Sequence, residues 1–579
     1  MAPPPYTDAF FTASTAIAIT LLAVLVVLRA ELRWKAPVLA AAMLPVFASP
    51  FVDGYTPARG LLDVLLLTLV ATVAGAAIRP PPRAASRRRV WPLDDAIVFG
   101  LAVGIAALVS DQVLERYTVS GDEWADVYQA DLFAHLRSYG APRACPAVFR
   151  NWWVFEKAGR TFAQYTPGWP LLMAPFQRAG AVWLAGPFTF GVVAVGVARL
   201  ARRVAGTSAP RIAGIVAPLF LAASPSALLN GASLYPHTMV CACFAWTVES
   251  LFAMSDASTR RDTIGWGVVL GSAGTLMVAT RPMDGVVLLA GVGAVILLTR
   301  APLPRAGVVA AGAAAAFWGA LVLVILHAQL GVWFATAYAM SPIALHFSAP
   351  KLHELAYAIP FDRATPYWWP CALPIVPFGV FLARGRGRVV TWSVTLGATL
   401  LVVAYAWLDA GRDGAESGYG SRFHLPLLVP MNIASGVLFA WLIERVRSAR
   451  GPRRWTDALA TAAVVLTAVE VAFVVAPTVY PAWHATLHRD HALRRAIAES
   501  GIHHAVVVVH QAELAQEVWD LTQNLPSEPD PDVLVLTDWH AEDDFACARQ
   551  VYAGRSWFIA RGHERVVLSG YDPRVGQDH

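Results

Sequence analysis

The sequence predicts an all-α polytopic membrane protein with about 14 transmembrane helices, by the length rule for spans, and a small C-terminal α/β domain on the outer side. Three observations carry this. Hydrophobic residues make up 56% of the 579 residues and charged residues only 15%, against the roughly 25% charged that a soluble domain carries; mean hydropathy is +0.51. The apolar residues come in blocks (Ile17–Val27, Leu61–Ala77, Val286–Leu298, Ala306–Leu326, Leu459–Val475), each bounded by Arg, Pro or Asp. With their flanks these reach the ~20 residues needed to cross a hydrocarbon core of about 30 Å. Basic clusters, finally, occupy alternate loops.

Those clusters are Arg29/Arg33/Lys35, Arg79 to Arg89, Arg199 to Arg211, Arg260/Arg261, Arg300/Arg305, Arg384 to Arg388 and Arg445 to Arg454. Positive charge in short loops marks the cytoplasmic side, so the N-terminus is expected outside. Outer loops then fall at 112–167, 331–366 and 409–426, together with the C-terminal hundred residues. The formal charge of +5 therefore reports orientation, not nucleic-acid binding. Met1–Phe11 contains no basic n-region, so the first apolar block reads as a retained span.

Taken in order, residues 1–94 hold the first additional spans and 95–480 a transmembrane core. Residues 481–579 form the outer α/β domain. In that last segment His504–His510 and Asp532–Asp538 are strand-length apolar runs, Glu513–Asn524 and Ala541–Tyr552 have helical spacing, and Trp557–Ala560 and Val566–Ser569 read as strands. Alternation of this kind predicts a small α/β unit. It has no Gly-rich phosphate loop, and a docking or capping role is expected. Of five cysteines, Cys241, Cys243 and Cys371 lie in or beside spans as packing residues, while Cys145 and Cys547 fall outside and can pair if that compartment is oxidising.

The three outer loops concentrate the ionisable and aromatic residues that are not orientation markers. Polar, irregular backbone at a membrane face is tolerated where it lines an enclosed or watery cavity, so the loops are expected to build one composite site. Asp122, Glu123 and Asp126 open the first loop directly after a span. A carboxylate there suits a general base that takes a proton from an attacking hydroxyl; the alternative is an acidic, solvated helix start. Further on come Asn151-Trp152-Trp153 and the chain-breaking run Tyr165-Thr166-Pro167-Gly168-Trp169-Pro170.

In these pieces the sequence resembles the GT-C superfamily of membrane glycosyltransferases, particularly bacterial relatives of the protein O-mannosyltransferase and aminoarabinose transferase group (glycosyltransferase family 39-like). Those proteins carry an Asp-Glu pair just after a span, and many bacterial members follow it with Tyr-x-Pro-Gly-Trp-Pro, as in Tyr165–Pro170. Ala279-Thr280-Arg281-Pro282 and Ser421-Arg422-Phe423-His424-Leu425-Pro426 are similar to two further family segments, with Phe423 in place of Tyr and the second proline displaced to Pro430. The resemblance covers about residues 95–480, in order.

It implies a GT-C-like core and a donor in which a sugar is joined to a polyprenyl phosphate held in the bilayer. The sugar would be transferred with inversion to a glycan, lipid or protein acceptor on the extracytoplasmic face of a bacterial inner membrane. Where the relatives place a Lys or a Pro-Pro-Leu segment this chain has Gln164–Pro167, so that phosphate-binding role is either absent or passes to Lys157, Arg160 or Arg422. Asp122 is the first choice of base, then Glu123 and Asp126. Arg422 is the first choice of phosphate partner, since a guanidinium bonds two phosphate oxygens at once. Tyr165, Trp169, His237 and Arg281 complete the substrate-binding candidates, Arg281 with Asp284 as an alternative partner. No His/Cys/Asp cluster shows metal-ligand spacing, so no metal residues are assigned, although a divalent cation held by Asp122 and Glu123 is left open. The alternatives to an enzyme are a transporter or flippase of a lipid-linked or hydrophilic solute and a catalytically silent envelope scaffold.

Overall fold

The structure is a computed structural model describing residues 92–149, 151, 153–206, 210–340, 383, 386–407, 422–448, 476–509, 523–537, 542–562 and 565–571. The spans expected before residue 92 and around Leu459–Val475, most of loops 331–366 and 409–426, Cys371 and the helix expected at Glu513–Asn524 lie outside the described residues.

Long helices dominate: α1 (Pro92–Gln112), α2 (Gly121–Ala134), α3 (Gly168–Arg178), α4 (Ala185–Ala205), α5 (Pro210–Ala223) and α6 (Pro225–Ala232). They continue as α7 (His237–Asp256), α8 (Arg260–Thr280), α9 (Pro282–Thr299), α10 (Arg305–Leu330), α11 (Arg386–Trp407), α12 (Leu428–Ser448), α13 (Ala476–Asp490) and α14 (Ala492–Ser500). Among the described residues eight helices are long and apolar enough to cross a membrane, with α5 and α6 forming a further candidate bent by 78°. Such a multi-pass chain satisfies its backbone polar groups internally, as a bilayer demands.

Small residues let these helices approach closely where lipid supplies no hydrophobic drive. A methyl group on Gly271 of α8 would lie 2.1 Å from the Ala311 carbonyl oxygen of α10, so the two backbones touch there. The arginines read as orientation markers prove to be partly consumed by ion pairs at one end of the bundle. Arg199 and Arg202 both bind Asp95, Arg211 binds Asp94, and Arg203 bridges Glu249 and Asp256. Pairing does not cancel their topological weight, because that rule counts Lys and Arg, not net charge.

At the opposite end, the connections carrying Asp122, Leu234, Arg281 and Arg422 converge. The hairpin of β1 (Val154–Lys157) and β2 (Arg160–Ala163) lies on this side, as does a four-stranded sheet near the C-terminus. The sheet's order is β4 (Val533–Thr537), β3 (Ala505–Val509), β5 (Ser556–Arg561) and β6 (Val567–Gly570). β3 is parallel to β4 and β5, and β6 is antiparallel. Being central, β3 is buried on both faces, which is why it reads as an uninterrupted run of valines. Helix α15 (Glu542–Val551) packs beside it.

The α/β unit is anchored to the 112–167 loop rather than hanging free. Arg143 donates to the carbonyls of Leu525, Glu528 and Pro529 at 2.6–2.8 Å, the Ser527 N–H donates to Asp131 at 2.9 Å, and Cys145 is disulfide-bonded to Cys547. His503 is occupied by Asp532 at 2.6 Å.

The tether is directly testable. In protein prepared without reductant, peptides holding Cys145 and Cys547 should be recovered cross-linked. Cys145→Ser should release the C-terminal unit to limited proteolysis several-fold faster, a disulfide contributing about 2–4 kcal/mol. Two freely alkylated thiols in native protein would contradict this arrangement.

Candidate active site

The site is built where α1 ends and α2 begins. Ser120 caps α2, its hydroxyl accepting from the Glu123 N–H at 3.4 Å, and Glu123 reaches back to the Val119 N–H at 2.6 Å. This is a capping-box arrangement that Ser120-Gly121-Asp122-Glu123 encodes. The second Glu123 oxygen accepts from the Leu234 N–H at 3.0 Å. Wholly buried, the side chain is placed as a joint between the first loop and the turn before α7. Burial pushes its carboxyl up to about 7, against the pull of the Val119 and Leu234 N–H groups.

Asp122 points the other way and keeps 21% of its side chain exposed. One oxygen accepts from the Tyr165 hydroxyl at 2.5 Å and the other from Arg422 Nη2 at 2.9 Å, across 300 residues of sequence. Tyr165 is packed by Trp153 at 6.1 Å and Tyr338 at 5.8 Å between ring centroids. Burial first, then the Asp122 charge, hold the Tyr165 phenol well above its usual range, so it stays a donor.

Asp126 lies one turn below on the same face of α2, the neighbour relation of i and i+4. It is buried, with neither oxygen bonded among the described residues. Burial, then the charges of Asp122 and Glu123, raise its carboxyl well above the ordinary range, with Arg281 opposing.

Arg422 opens a short 3₁₀ segment, Arg422–Leu427, and its guanidinium lies 4.3 Å over the Tyr235 ring. Nε and Nη1 are buried with no partner among the described residues. With Nε and Nη1 idle, the guanidinium keeps three desolvated N–H groups that can bond an anion. His237 stands near, 5.4 Å from the Phe423 ring, with both ring nitrogens unpartnered among the described residues. So does His424, 5.6 Å from the Tyr405 ring, a residue the motif comparison passed over.

The other candidates are engaged differently. Arg281 binds Asp284 at 2.8 Å and the Tyr405 hydroxyl at 2.9 Å, the local pairing that its tight turn allowed. Trp169 is fully buried and donates to the Leu234 carbonyl at 2.6 Å. Beside it, a methyl on Gly168 would lie 2.6 Å from the Ala279 carbonyl carbon, so the Pro-Gly-Trp-Pro run packs α3 against the Ala279–Pro282 turn. Arg160 donates to the Ala328 carbonyl at 2.6 Å and covers Tyr139 at 4.9 Å, while Lys157 is exposed at the end of β1. Among the described residues no contact joins either of them to Asp122. Both Asp122 oxygens and both Glu123 oxygens already accept hydrogen bonds from separate partners, so the pair does not present a shared face to a cation.

A different group does bring metal-ligand types together. Glu115, His484 and His488 converge, which corrects the expectation that no histidine cluster has suitable spacing. The signal was His484-x-x-x-His488, an i,i+4 pair on one helix.

No protein-family model and no curated protein matches this chain. Among solved structures it is similar to the crystal structure of ArnT from Cupriavidus metallidurans bound to undecaprenyl phosphate, at 14% identity over 80% of this chain and 93% of that one, with a TM-score of 0.48. It is also similar to the archaeal oligosaccharyltransferase AglB from Archaeoglobus fulgidus in complex with an inhibitory peptide and a dolichol-phosphate, at 10% identity over 80% of this chain and 69% of that one, TM-score 0.45. The arabinosyltransferase EmbB from Mycobacterium smegmatis matches at 16% identity over 76% of this chain and 46% of that one, TM-score 0.31.

The contrast between Glu123 and Asp126 gives a pH test. A carboxyl whose folded pKa is raised stabilises the fold below its unfolded pKa and loses that contribution as pH rises through the folded one. For Glu123 the window runs from 4.5 to about 7. Thermal unfolding in detergent should show Glu123→Gln with a flatter stability profile across that window. Glu123→Ala should lose about 1–3 kcal/mol for each N–H left unsatisfied. Asp126→Asn, replacing a carboxyl whose charged form burial disfavours, should stay close to the parent. A large loss in Asp126→Asn would contradict that direction.

Proposed function

We propose that this chain is an inverting GT-C-type glycosyltransferase that moves a sugar from a polyprenyl-phosphate donor to an acceptor hydroxyl on the extracytoplasmic face of a bacterial inner membrane. The observation that carries the proposal is Arg422. It holds Asp122 through Nη2 at 2.9 Å and keeps Nε and Nη1 buried and unpartnered. The contact of Asp122 with Arg422 supports their reading as base and phosphate partner, which the resemblance in the first loop and in Arg422–Pro426 implies.

In this reading the donor phosphate binds Nε and Nη1 of Arg422 with its prenyl chain in the bilayer. Asp122 takes the proton of the acceptor hydroxyl as that oxygen attacks the anomeric carbon. The bond from that carbon to the phosphate oxygen breaks, and the phosphate leaves with the electron pair and its charge. A phosphate leaves without a strong acid, so a single base and a cation suffice. Tyr165 and Arg422 fix the two Asp122 oxygens, and each oxygen retains a lone pair for the incoming proton. Asp126, Glu123 and Trp169 support α2 and its surroundings; His237 and His424 line the region beside Arg422 as donors or acceptors to the sugar. The arginine alternation places the site outside, and the Cys145–Cys547 bond fits an oxidising compartment.

Donor binding and transfer in lipid nanodiscs separate the two roles. Asp122→Asn should lower transfer by about 10²–10⁴-fold, the usual loss of a positioned base, while donor binding changes little. Arg422→Ala should weaken donor binding as well as transfer, and Arg422→Lys should recover only part, since an ammonium lacks the fork. Near-normal transfer by Asp122→Asn would remove the proposed base and favour Glu123 or Asp126, and absence of transfer by wild type would favour the transporter or scaffold alternatives.

A further inference from the structure

Away from Asp122, one ligand atom from each of Glu115, His484 and His488 lies within 4.8 Å of the others. Glu115 sits just past the end of α1, outside the span, with Glu115 and Arg116 both in left-handed backbone (φ 54° and 61°). That conformation is disfavoured for residues with a Cβ and persists only where surrounding contacts enforce it. His484 and His488 are one turn apart on α13, their ring centroids 5.6 Å apart.

The three side chains are unequally satisfied. Glu115 Oε1 lies 2.5 Å from His488 Nδ1. Its other oxygen accepts from Arg495 at 2.9 Å and faces His491 Nδ1 at 3.1 Å. His484 Nδ1 is buried with no partner among the described residues. An orphaned buried nitrogen beside a carboxylate and a second imidazole calls for an occupant.

We propose that Glu115, His484 and His488 bind a divalent transition-metal ion of the zinc class. Two imidazoles and one carboxylate form the mixed donor set that such ions take, with a fourth position left to water; calcium and magnesium favour all-oxygen shells. Metal–ligand distances near 2.0–2.2 Å put donors about 3.3 Å apart in a tetrahedral site. The three donors lie within 4.8 Å of one another, and His488, with 52% of its side chain exposed, has room to turn. Arg495 and His491 hold Oε2, and Oε1 faces His488. Partners of this kind orient a ligating carboxylate.

The ion would staple α13 to the 113–120 segment that runs into α2. The rest of that junction already grips it: His491 Nε2 meets the Thr118 carbonyl at 3.2 Å, and Arg494 lies 4.8 Å over Tyr117. The site's existence does not depend on the activity proposed above.

The test uses the full chain, purified with a tag free of histidine, stripped with a chelator and titrated with Co²⁺ and then Zn²⁺. Wild type should take up one ion per chain, show the visible absorption of tetrahedral Co²⁺ and melt at a higher temperature with Zn²⁺. His484→Ala and His488→Gln should each lose at least tenfold in affinity along with that thermal shift, while His503→Ala keeps both. His488→Gln alters an exposed side chain, so it keeps the test decisive if His484→Ala does not fold. Absence of binding by wild type, or undiminished binding by His488→Gln, would overturn the proposal.

Discussion

A carboxyl group shut away from water must be neutral or have its oxygens satisfied by donors, and Glu123 is held by donors from two distant pieces of chain. Its bond to the Leu234 N–H spans 111 residues. The carbonyl of the same Leu234 accepts from Trp169, so one residue's backbone joins α2, α3 and the turn leading into α7. Irregular backbone at a membrane face stands only where protein satisfies it, and this joint does so. With Glu123 turned inward, the helix presents Asp122 on the opposite side, towards Tyr165 and Arg422.

Three acidic residues within one and a half turns of α2 thus take three states. Glu123 is a buried acceptor of backbone N–H groups, Asp126 a buried carboxyl whose charged form is disfavoured by burial and by its acidic neighbours, and Asp122 a partly exposed carboxylate balanced by Arg422. Each state follows from where the helix rotates the side chain. A dense acidic start is tolerated because only one of the three needs to meet water and cation together.

Much of this was legible in the sequence. The apolar blocks Val286–Leu298 and Ala306–Leu326 marked α9 and α10, the runs His504–His510 and Asp532–Asp538 announced β3 and β4, and Asp122 and Arg422 were singled out although nothing local links them. What the sequence could not carry were partnerships set by tertiary packing. Arg281 was ambiguous until Tyr405 and Asp284 closed on it. Trp169 read as a ligand-facing aromatic but serves as a packed donor, because a buried indole N–H needs an acceptor and Leu234 supplies one. Lys157 and Arg160 lay near in sequence but extend along a hairpin whose geometry carries them elsewhere. The Glu115, His484 and His488 cluster was hidden because its two halves are more than 360 residues apart and only the contact of α13 with the 113–120 segment joins them.

Arg422 is the group proposed to receive the lipid phosphate. The most direct test of that assignment is an experimental structure of the full chain in nanodiscs with a polyprenyl phosphate. The phosphate should lie within hydrogen-bonding distance of Arg422 Nε and Nη1 while Nη2 stays on Asp122. A phosphate seated instead at Lys157 or Arg160 on the hairpin, with both Arg422 nitrogens still unpartnered, would contradict it.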